Sequence, residues 1–199
     1  MIRNQRNVKI YVIFALYILC DMNDSILYIK RYVSPAGDMV LGSAQGRLCI
    51  CDWSCSKRNS DNIRRAAEYY KARVVDGCDE VILSAAVQLD EYFSGCRCSF
   101  DIPLAPVGTD FQQTVWSVLS TIPYSSTVTY SDVASIAGRP RAVRAVASAI
   151  GANPLSIFVP CHRVVGVSGI GGYAGSVAAK LLLLELESSA SVGKGEVKA

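Results

Sequence analysis

The only histidine of the chain, His162, directly follows Cys161 in the segment Pro160-Cys161-His162-Arg163. A thiol becomes a strong nucleophile when it loses its proton, and an imidazole is a common acceptor for that proton. Residues 157–159 predict a short buried strand that Pro160 ends, and glycines from 166 to 172 predict a turning loop. The pattern indicates an accessible reactive thiol, although a buried cysteine beside a hydrogen-bonded histidine is the more common meaning of such a dipeptide.

Composition limits the possible classes of protein. The chain has 199 residues, of which 51% are hydrophobic and 19% charged, so it can form one large domain or two small ones. Its net charge of +3 gives no strong overall attraction to nucleic acid, so any DNA-binding surface must be a local cluster. Eight cysteines are too few for a small disulfide scaffold. We expect no metal site, because zinc-ligand spacing and a second histidine are both missing around Cys49, Cys51, Cys55 and Cys78.

The first 20 residues combine a basic start with an apolar run from 10 to 20. This resembles a secretory signal, but no small-residue cleavage site follows it. The run is also too short to cross a bilayer as a helix. A buried strand is the better interpretation, and a start codon assigned too far upstream would also explain the run.

The first half of the chain, to about residue 103, predicts mixed strands and helices. Strands are predicted over 25–33 and 38–53, with breaks at 35–37 and at Gly42. A helix over 62–73 is predicted with Asp61 as its cap, and another over 81–93 is predicted to stop at Gly95. The core candidates of the second helix are Leu83, Ala86, Val87 and Phe93.

Three helices are predicted in the second half. Thr109 and Gln112 predict a capping box for the first, with apolar residues at Phe111, Val115, Val118 and Leu119. Ser131 is predicted to cap the second, which ends at Gly138. The third covers 142–150, and its buried stripe is predicted to be Val143, Val146, Ala147 and Ile150. Two short helices joined by a glycine turn have the outline of a helix-turn-helix.

The third helix is a candidate DNA-reading element. Small side chains allow a helix to approach a groove closely, and here they are Ala142, Ala145, Ser148 and Ala149. Arg139, Arg141 and Arg144 add positive charge where phosphates would lie. An ordinary alanine-rich packing helix with solvated arginines explains the composition equally well.

Residues 108–187 closely resemble the O6-alkylguanine-DNA alkyltransferase family. The matching segments are 111–116, 122–123, 129–130, 144–146, 153–154, 159–165, 172–175 and 180–187. In the first half only 89–95 and 103–104 look similar. The chain departs from the family pattern at Ala174 and at Gly175-Ser176, which bears on the size of the alkyl pocket more than on the reaction.

The resemblance implies a catalytic role for five residues. Cys161 would accept the alkyl group, and His162 would take the thiol proton through a bridging water. Glu187 would orient the imidazole, Asn153 would brace the turn, and Tyr130 would protonate the departing base.

The resemblance also implies how DNA and substrate are held. Arg144 would replace the flipped base, and the helix around it would enter the minor groove through Arg141, Ala142, Ala145, Ser148 and Gly151. The alkyl pocket would be formed by Val164, Tyr173, Ala174, Gly175 and Ser156, with Val164 and Val165 close to the guanine edge.

The fold and function implied by the resemblance are specific. An α/β fold is expected, with an RNase H-like N-terminal domain (1–103) that has a small antiparallel sheet. A mainly helical C-terminal domain (104–188) would carry the helix-turn-helix and active-site loop, followed by a disordered tail (189–199). The protein would repair O6-alkylguanine, and O4-alkylthymine, in double-stranded DNA by one irreversible transfer to Cys161. We expect no cofactor, no membrane association, a monomer, and a cytoplasmic location, or a nuclear one in a eukaryote.

Two other classes of protein fit parts of the pattern. A non-enzymatic relative that binds alkylated DNA would carry tryptophan at the nucleophile position, where this chain has Cys161. A thiol hydrolase would usually bring its histidine from elsewhere in the chain, and a plain helix-turn-helix regulator would not need Tyr130, Cys161 and Glu187 together.

Overall fold

A computed structural model describes residues 25–192, so the apolar run of residues 10–20 lies outside the described residues. A four-stranded sheet, ordered β3-β2-β1-β4, forms the first half. Its strands are β1 (Ser25–Ser34), β2 (Gly37–Ala44), β3 (Arg47–Trp53) and β4 (Ala72–Asp76). The first three are antiparallel neighbours, but β4 pairs with β1 in parallel. The prediction of a small antiparallel sheet is therefore wrong at β4, because a helical crossover from β3 returns the chain in the same direction.

That crossover is helix α1 (Asn59–Tyr70). It begins before the predicted start, and Asp61 lies in its first turn without capping it. Asn59 and Asn62 are buried, and their side-chain amides donate to the Trp53 carbonyl and the Asp52 carboxylate. These tertiary hydrogen bonds fix the start of α1. The second predicted break is also wrong, because Gly42 lies inside β2 at an irregularity in its pairing with β3.

Helix α2 (Glu80–Phe93) packs on the sheet and is capped by Asp79, whose carboxylate accepts from the Ile82 amide. Its buried apolar side chains are Ile82, Ala85, Leu89 and Tyr92. The predicted core residues Leu83 and Val87 are 57% and 56% exposed, and Ala86 and Phe93 are half-buried. The helix was predicted correctly, but its buried face is rotated by one residue.

The second half is mainly helical. It contains α3 (Asp110–Leu119), α4 (Tyr130–Ile136), α5 (Val143–Gly151) and α6 (Val177–Val192), with short strands β5 (Val128–Thr129) and β6 (Val164–Val165) paired in parallel. The capping box of Thr109 and Gln112 is confirmed. Thr129, not Ser131, caps α4, because its hydroxyl accepts from the Asp132 amide while the Asp132 side chain returns to its backbone. Residues 189–192 belong to α6, where the sequence predicted a disordered tail.

One core joins the two halves. Buried residues from the sheet and α2 pack in the same cluster as residues from the helical half, including Leu48, Trp53, Tyr92, Val115, Leu155 and Leu183. The chain that leaves the first half also runs beside β3, where the Leu48 amide donates to the Pro103 carbonyl at 2.9 Å. Strand β3 also lies against the segment that leads to Cys161, because the Cys51 amide donates to the Pro154 carbonyl at 2.8 Å. No helix among residues 25–192 has the length and apolar character needed to cross a membrane.

Candidate active site

The segment before Cys161 is a tight buried turn. Ser156 and Val159 form an isolated bridge, and Ile157 between them has a left-handed φ of 73°. Residues 157–159 are buried as predicted, but the predicted strand is wrong. Cys161–Arg163 then forms one turn of 3-10 helix.

Asn153 holds this turn closed. Its side-chain amide donates to the Val159 carbonyl at 2.8 Å and to the Cys161 sulfur at 3.2 Å, while its oxygen accepts from the Leu155 amide at 3.0 Å. One side-chain amide thus contacts the start of the turn at Leu155, its end at Val159, and the thiol of Cys161. The resemblance implied a brace at Asn153, and the structure places the side chain across this turn.

The Cys161 thiol is 6% exposed. Burial raises its pKa, and the opposing influences are the hydrogen bond from Asn153 and the positive charge of Lys180. The thiol is therefore protonated at neutral pH in the resting site. A nearby base is needed before the sulfur can react.

His162 is completely buried, with Nε2 placed 2.8 Å from Glu187 Oε1. Burial lowers its pKa, against the opposing effect of Glu187, so the imidazole is neutral at rest. A proton on Nε2 donated to the carboxylate leaves the lone pair on Nδ1. Among the described residues Nδ1 has no hydrogen-bond partner, and it is therefore the atom that can accept a proton.

Glu187 is the centre of a buried polar network. Its carboxylate accepts from Arg163 Nε and Nη2, both at 2.9 Å, from the Tyr92 hydroxyl at 2.9 Å, and from the Ser125 amide at 3.0 Å. Burial alone would raise the pKa of Glu187, but the hydrogen bonds from His162 and Arg163 bring it down to about 2. The carboxylate therefore remains charged and keeps the imidazole in one orientation.

Lys180 is a site residue to which the sequence assigned no role. Its ammonium group is buried and donates to the carbonyls of Val164 at 2.6 Å and Gly172 at 3.4 Å. Burial lowers its pKa, against the opposing effect of Cys161. The sequence signal was a single cation within an otherwise apolar stretch of α6.

A cavity of about 480 Å³ opens onto the thiol. Cys161, Tyr130, Asn153, Tyr173 and Ala174 line it, and of these Tyr173 and Ala174 were the residues predicted for the alkyl pocket. Tyr130 is half-buried, and burial raises the pKa of its phenol, so the hydroxyl carries its proton at neutral pH. Of the other predicted pocket residues, Ser156 and Val164 are fully buried and, like Gly175, are not among the residues that line the cavity.

The first half of the chain also lines this cavity, which the sequence did not predict. Cys55, Ser56, Lys57 and Arg58 follow β3 and form one wall. The guanidinium group of Arg58 lies close to α5. A methyl group added at Gly151 of that helix would be 3.3 Å from Arg58 Nη1. Lys57 and Arg58 are both exposed.

Helix α5 has the exposed face that was predicted for DNA contact. Arg141, Arg144, Ala145, Ser148 and Gly151 are exposed, and Ala142 is half-buried. Ala149 was predicted on this face but is only 4% exposed, and its carbonyl accepts from Trp116 Nε1 at 2.9 Å. Its prediction is wrong because α3 packs on that side of α5.

Comparison with known proteins identifies the family. Residues 110–189 match the model described as 6-O-methylguanine DNA methyltransferase, DNA binding domain. The chain is 52% identical over 164 residues to the methylated-DNA–protein-cysteine methyltransferase of Methanosarcina barkeri, across 82% of this chain and 98% of that protein. The chain belongs to this methyltransferase family. It is also 50% identical over 167 residues to the constitutive methyltransferase of Bacillus subtilis, across 80% and 94% of the two chains.

Solved structures of methyltransferases show the same fold. The O6-methylguanine methyltransferase of Mycobacterium tuberculosis matches with a TM-score of 0.70 and 37% identity, across 82% of this chain and 94% of that one. A structure of the same organism's protein in complex with DNA matches equally well. Within the described part of this methyltransferase-family chain, no cluster of three or more His, Cys, Asp or Glu side chains could hold a metal ion.

Proposed function

We propose that the chain repairs alkylated DNA by transferring the alkyl group of O6-alkylguanine, and of O4-alkylthymine, to Cys161. The arrangement of Cys161, His162 and Glu187 carries this proposal. A buried thiol precedes a neutral imidazole whose free nitrogen can accept a proton and whose other nitrogen is held by a carboxylate. The membership of the chain in a family of methylated-DNA–protein-cysteine methyltransferases supports the same reaction.

In the proposed reaction the thiol proton passes to His162 Nδ1 through a water molecule. The sulfur attacks the alkyl carbon, a C–S bond forms, and the C–O6 bond breaks with its electron pair going to the purine. Tyr130 donates its phenolic proton to the ring nitrogen of guanine, so the base leaves neutral. The phenolate is then reprotonated at the expense of the imidazolium, and the net change is a thioether and a repaired guanine.

The product explains why each molecule would act once. A thioether is not readily cleaved, so the sulfur is not returned to its free form. We therefore propose a single turnover, after which Cys161 remains alkylated.

The proposed encounter with DNA uses the exposed face of α5. Helices α4 and α5 would act as a helix-turn-helix, with α5 in the minor groove and Arg144 occupying the space of the flipped base. Flipping is needed because the displacement cannot take place inside the base stack, and it costs least at a damaged pair. The exposure of Arg144, Ala145 and Ser148 is consistent with this role.

We further propose a division of labour between an RNase H-like part up to residue 103 and a DNA-binding part over 104–188, in a protein that acts as a monomer. The shared core does not prevent this division, because the DNA-facing helix and Cys161 both belong to the second part.

The test is incubation with a duplex oligonucleotide that contains one O6-methylguanine, followed by intact-mass and peptide mass spectrometry. We expect a gain of one methyl group per protein molecule, located on the peptide with Cys161. Cys161→Ser should gain none, and the matched control Cys78→Ser, which removes an exposed thiol that does not line the cavity, should react like the unsubstituted chain. Repeated turnovers would indicate a hydrolase, and an unmodified Cys161 in bound protein would indicate a damage-binding protein.

A further inference from the structure

Trp53 lies directly beneath the loop that forms the alkyl pocket, although it belongs to β3 in the first half of the chain. The indole is 1% exposed. A Cβ added at Gly175 would lie 2.6 Å from its Cδ2 atom, so the loop backbone rests on the indole face. The ring of Tyr173 meets the same indole edge to face, with 5.8 Å between centroids and an angle of 69°.

Cys55 adds a second contact from the same segment. Its thiol donates to the Gly175 carbonyl at 3.1 Å. The loop is therefore held at one end by Trp53 and Cys55, and at Gly172 by Lys180. Because Tyr173 and Ala174 between these points line the cavity, the two anchors determine where that wall stands.

Hydrogen bonds hold in place the platform beneath the loop, formed by Trp53 and Cys55. The Trp53 carbonyl accepts from the Ser56 amide at 2.9 Å and from Asn59 Nδ2 at 3.2 Å, and its own amide donates to Asp52 Oδ1 at 2.8 Å. The end of β3 and the start of α1 thus fix the position of the indole relative to the loop. The sheet can position the loop because several hydrogen bonds hold the end of β3 that carries Trp53.

Buried polar atoms also meet at this contact. Trp53 Nε1, the Tyr173 hydroxyl and the Ser156 hydroxyl are all buried, and within residues 25–192 none makes a hydrogen bond of ordinary geometry. Burial raises the pKa of Tyr173, and the nearby Trp53 and Ser156 side chains oppose that rise. The Tyr173 phenol therefore points towards the platform and not into solvent.

We propose that Trp53, assisted by Cys55, is a specificity-determining residue that sets the size of the alkyl pocket by positioning residues 173–175. This proposal rests on the alkyl transfer to Cys161 proposed above. Under this proposal the first half of the chain contributes to substrate specificity, that is, to the preference among alkyl groups. Neither Trp53 nor Cys55 touches the reacting atoms. Trp53 acts through the loop, whereas Cys55 both holds Gly175 and lines the cavity itself.

The experiment compares two duplex oligonucleotides of one sequence, with O6-methylguanine or O6-benzylguanine, so that the contribution of DNA binding cancels. In Trp53→Leu the loop can sink into the vacated space and the pocket widens. We expect the methyl-to-benzyl rate ratio to fall about three- to tenfold, the effect of one lost aromatic contact. Trp53→Phe keeps a ring and should restore part of the ratio. The matched control Ile50→Val, on β3 but in the separate cluster beneath α1, should leave the ratio unchanged.

A double-mutant cycle tests the direct contact between platform and loop. Gly175→Ala places a methyl group against the indole and should change the ratio in the unsubstituted chain, but much less in Trp53→Leu, where the clash is removed. Equal effects of Gly175→Ala in both backgrounds would overturn the proposal. If Trp53→Leu does not fold, Cys55→Ala removes the contact to Gly175, while Cys55→Ser keeps a donor of similar size at the same place in the cavity wall. Equal ratios in these two variants would also overturn the proposal. Absence of any transfer by the unsubstituted chain would instead refute the proposed function.

Discussion

Glu187→Gln should destabilise the protein strongly at neutral pH and progressively less in acid. The substitution removes the charge that Arg163 and His162 share, and it places an amide N–H₂ among groups that themselves donate. Arg163 is only 7% exposed, so its cation would be left buried without an anion. Breaking a buried ion pair by removing one partner costs about 3–5 kcal/mol.

The acidity of Glu187 gives a second measure of the same effect. Its pKa is lowered from a usual 4.5 to about 2. Since each pKa unit corresponds to about 1.4 kcal/mol, the ionised carboxylate contributes about 3 kcal/mol to stability at neutral pH. Both figures are of the same order. For a carboxyl with a lowered pKa the contribution is complete above the unfolded value of 4.5 and is lost as pH falls towards 2.

The assay is urea unfolding at several pH values from 7 to 2.5, followed by the fluorescence of Trp53 and Trp116, one in each half of the chain. We expect Glu187→Gln to lower the free energy of unfolding by about 3 kcal/mol at pH 7, with the difference shrinking steadily below pH 4.5. Glu185→Gln is the matched control, because it removes the same charge from an exposed position on the same helix. A loss below about 1 kcal/mol at pH 7, or a difference that does not change with pH, would refute the reasoning.

Two further substitutions test the site. Lys180→Met removes the cation that opposes the effect of burial on the pKa of the Cys161 thiol. The pH profile of thiol alkylation should therefore move to higher pH, and transfer at pH 7 should slow about tenfold. An unmoved profile would contradict the electrostatic role of Lys180. Arg144→Ala should slow transfer from duplex DNA by tenfold or more and leave transfer from the free base O6-benzylguanine unchanged. The reason is that only duplex repair requires a side chain to fill the space of the extruded base. Equal losses on both substrates would contradict this role of Arg144.

Local sequence patterns predicted the elements that depend on neighbouring residues. The capping box of Thr109 and Gln112 is confirmed because both partners lie within one helical turn. Strand β1 and the extended conformation of residues 38–53 were predicted from local patterns, but the turn between β2 and β3 follows Ala44 and does not lie at Gly42. The predictions failed where contacts with distant residues determine the local structure. Helix α1 begins at Asn59 because its buried side-chain amide donates to the end of β3. Helix α2 buries Ile82 and exposes Leu83 because that face packs on the sheet.

The site shows the same division. The adjacency of Cys161 and His162 and the distant match at Glu187 could be read from the chain, and the structure brings these groups together in one buried network. The roles of Arg163, Tyr92 and Lys180 were not predicted, because the partners of a buried charge are set by the fold. The contribution of the segment after β3 to the cavity wall was not predicted either. No local sequence pattern connects residues 53–58 with residues 173–175.

The sequence by itself therefore determined the family, the adjacency of the proposed nucleophile and base, and the helices whose caps and periodicity are local. Only the tertiary structure decided the protonation states of these groups, the orientation of the imidazole and the wall of the alkyl pocket. The physical reason is that pKa values and pocket shape depend on burial and on contacts between distant segments. The thiol, the imidazole and the carboxylate acquire their working states when α6 and β3 enclose them.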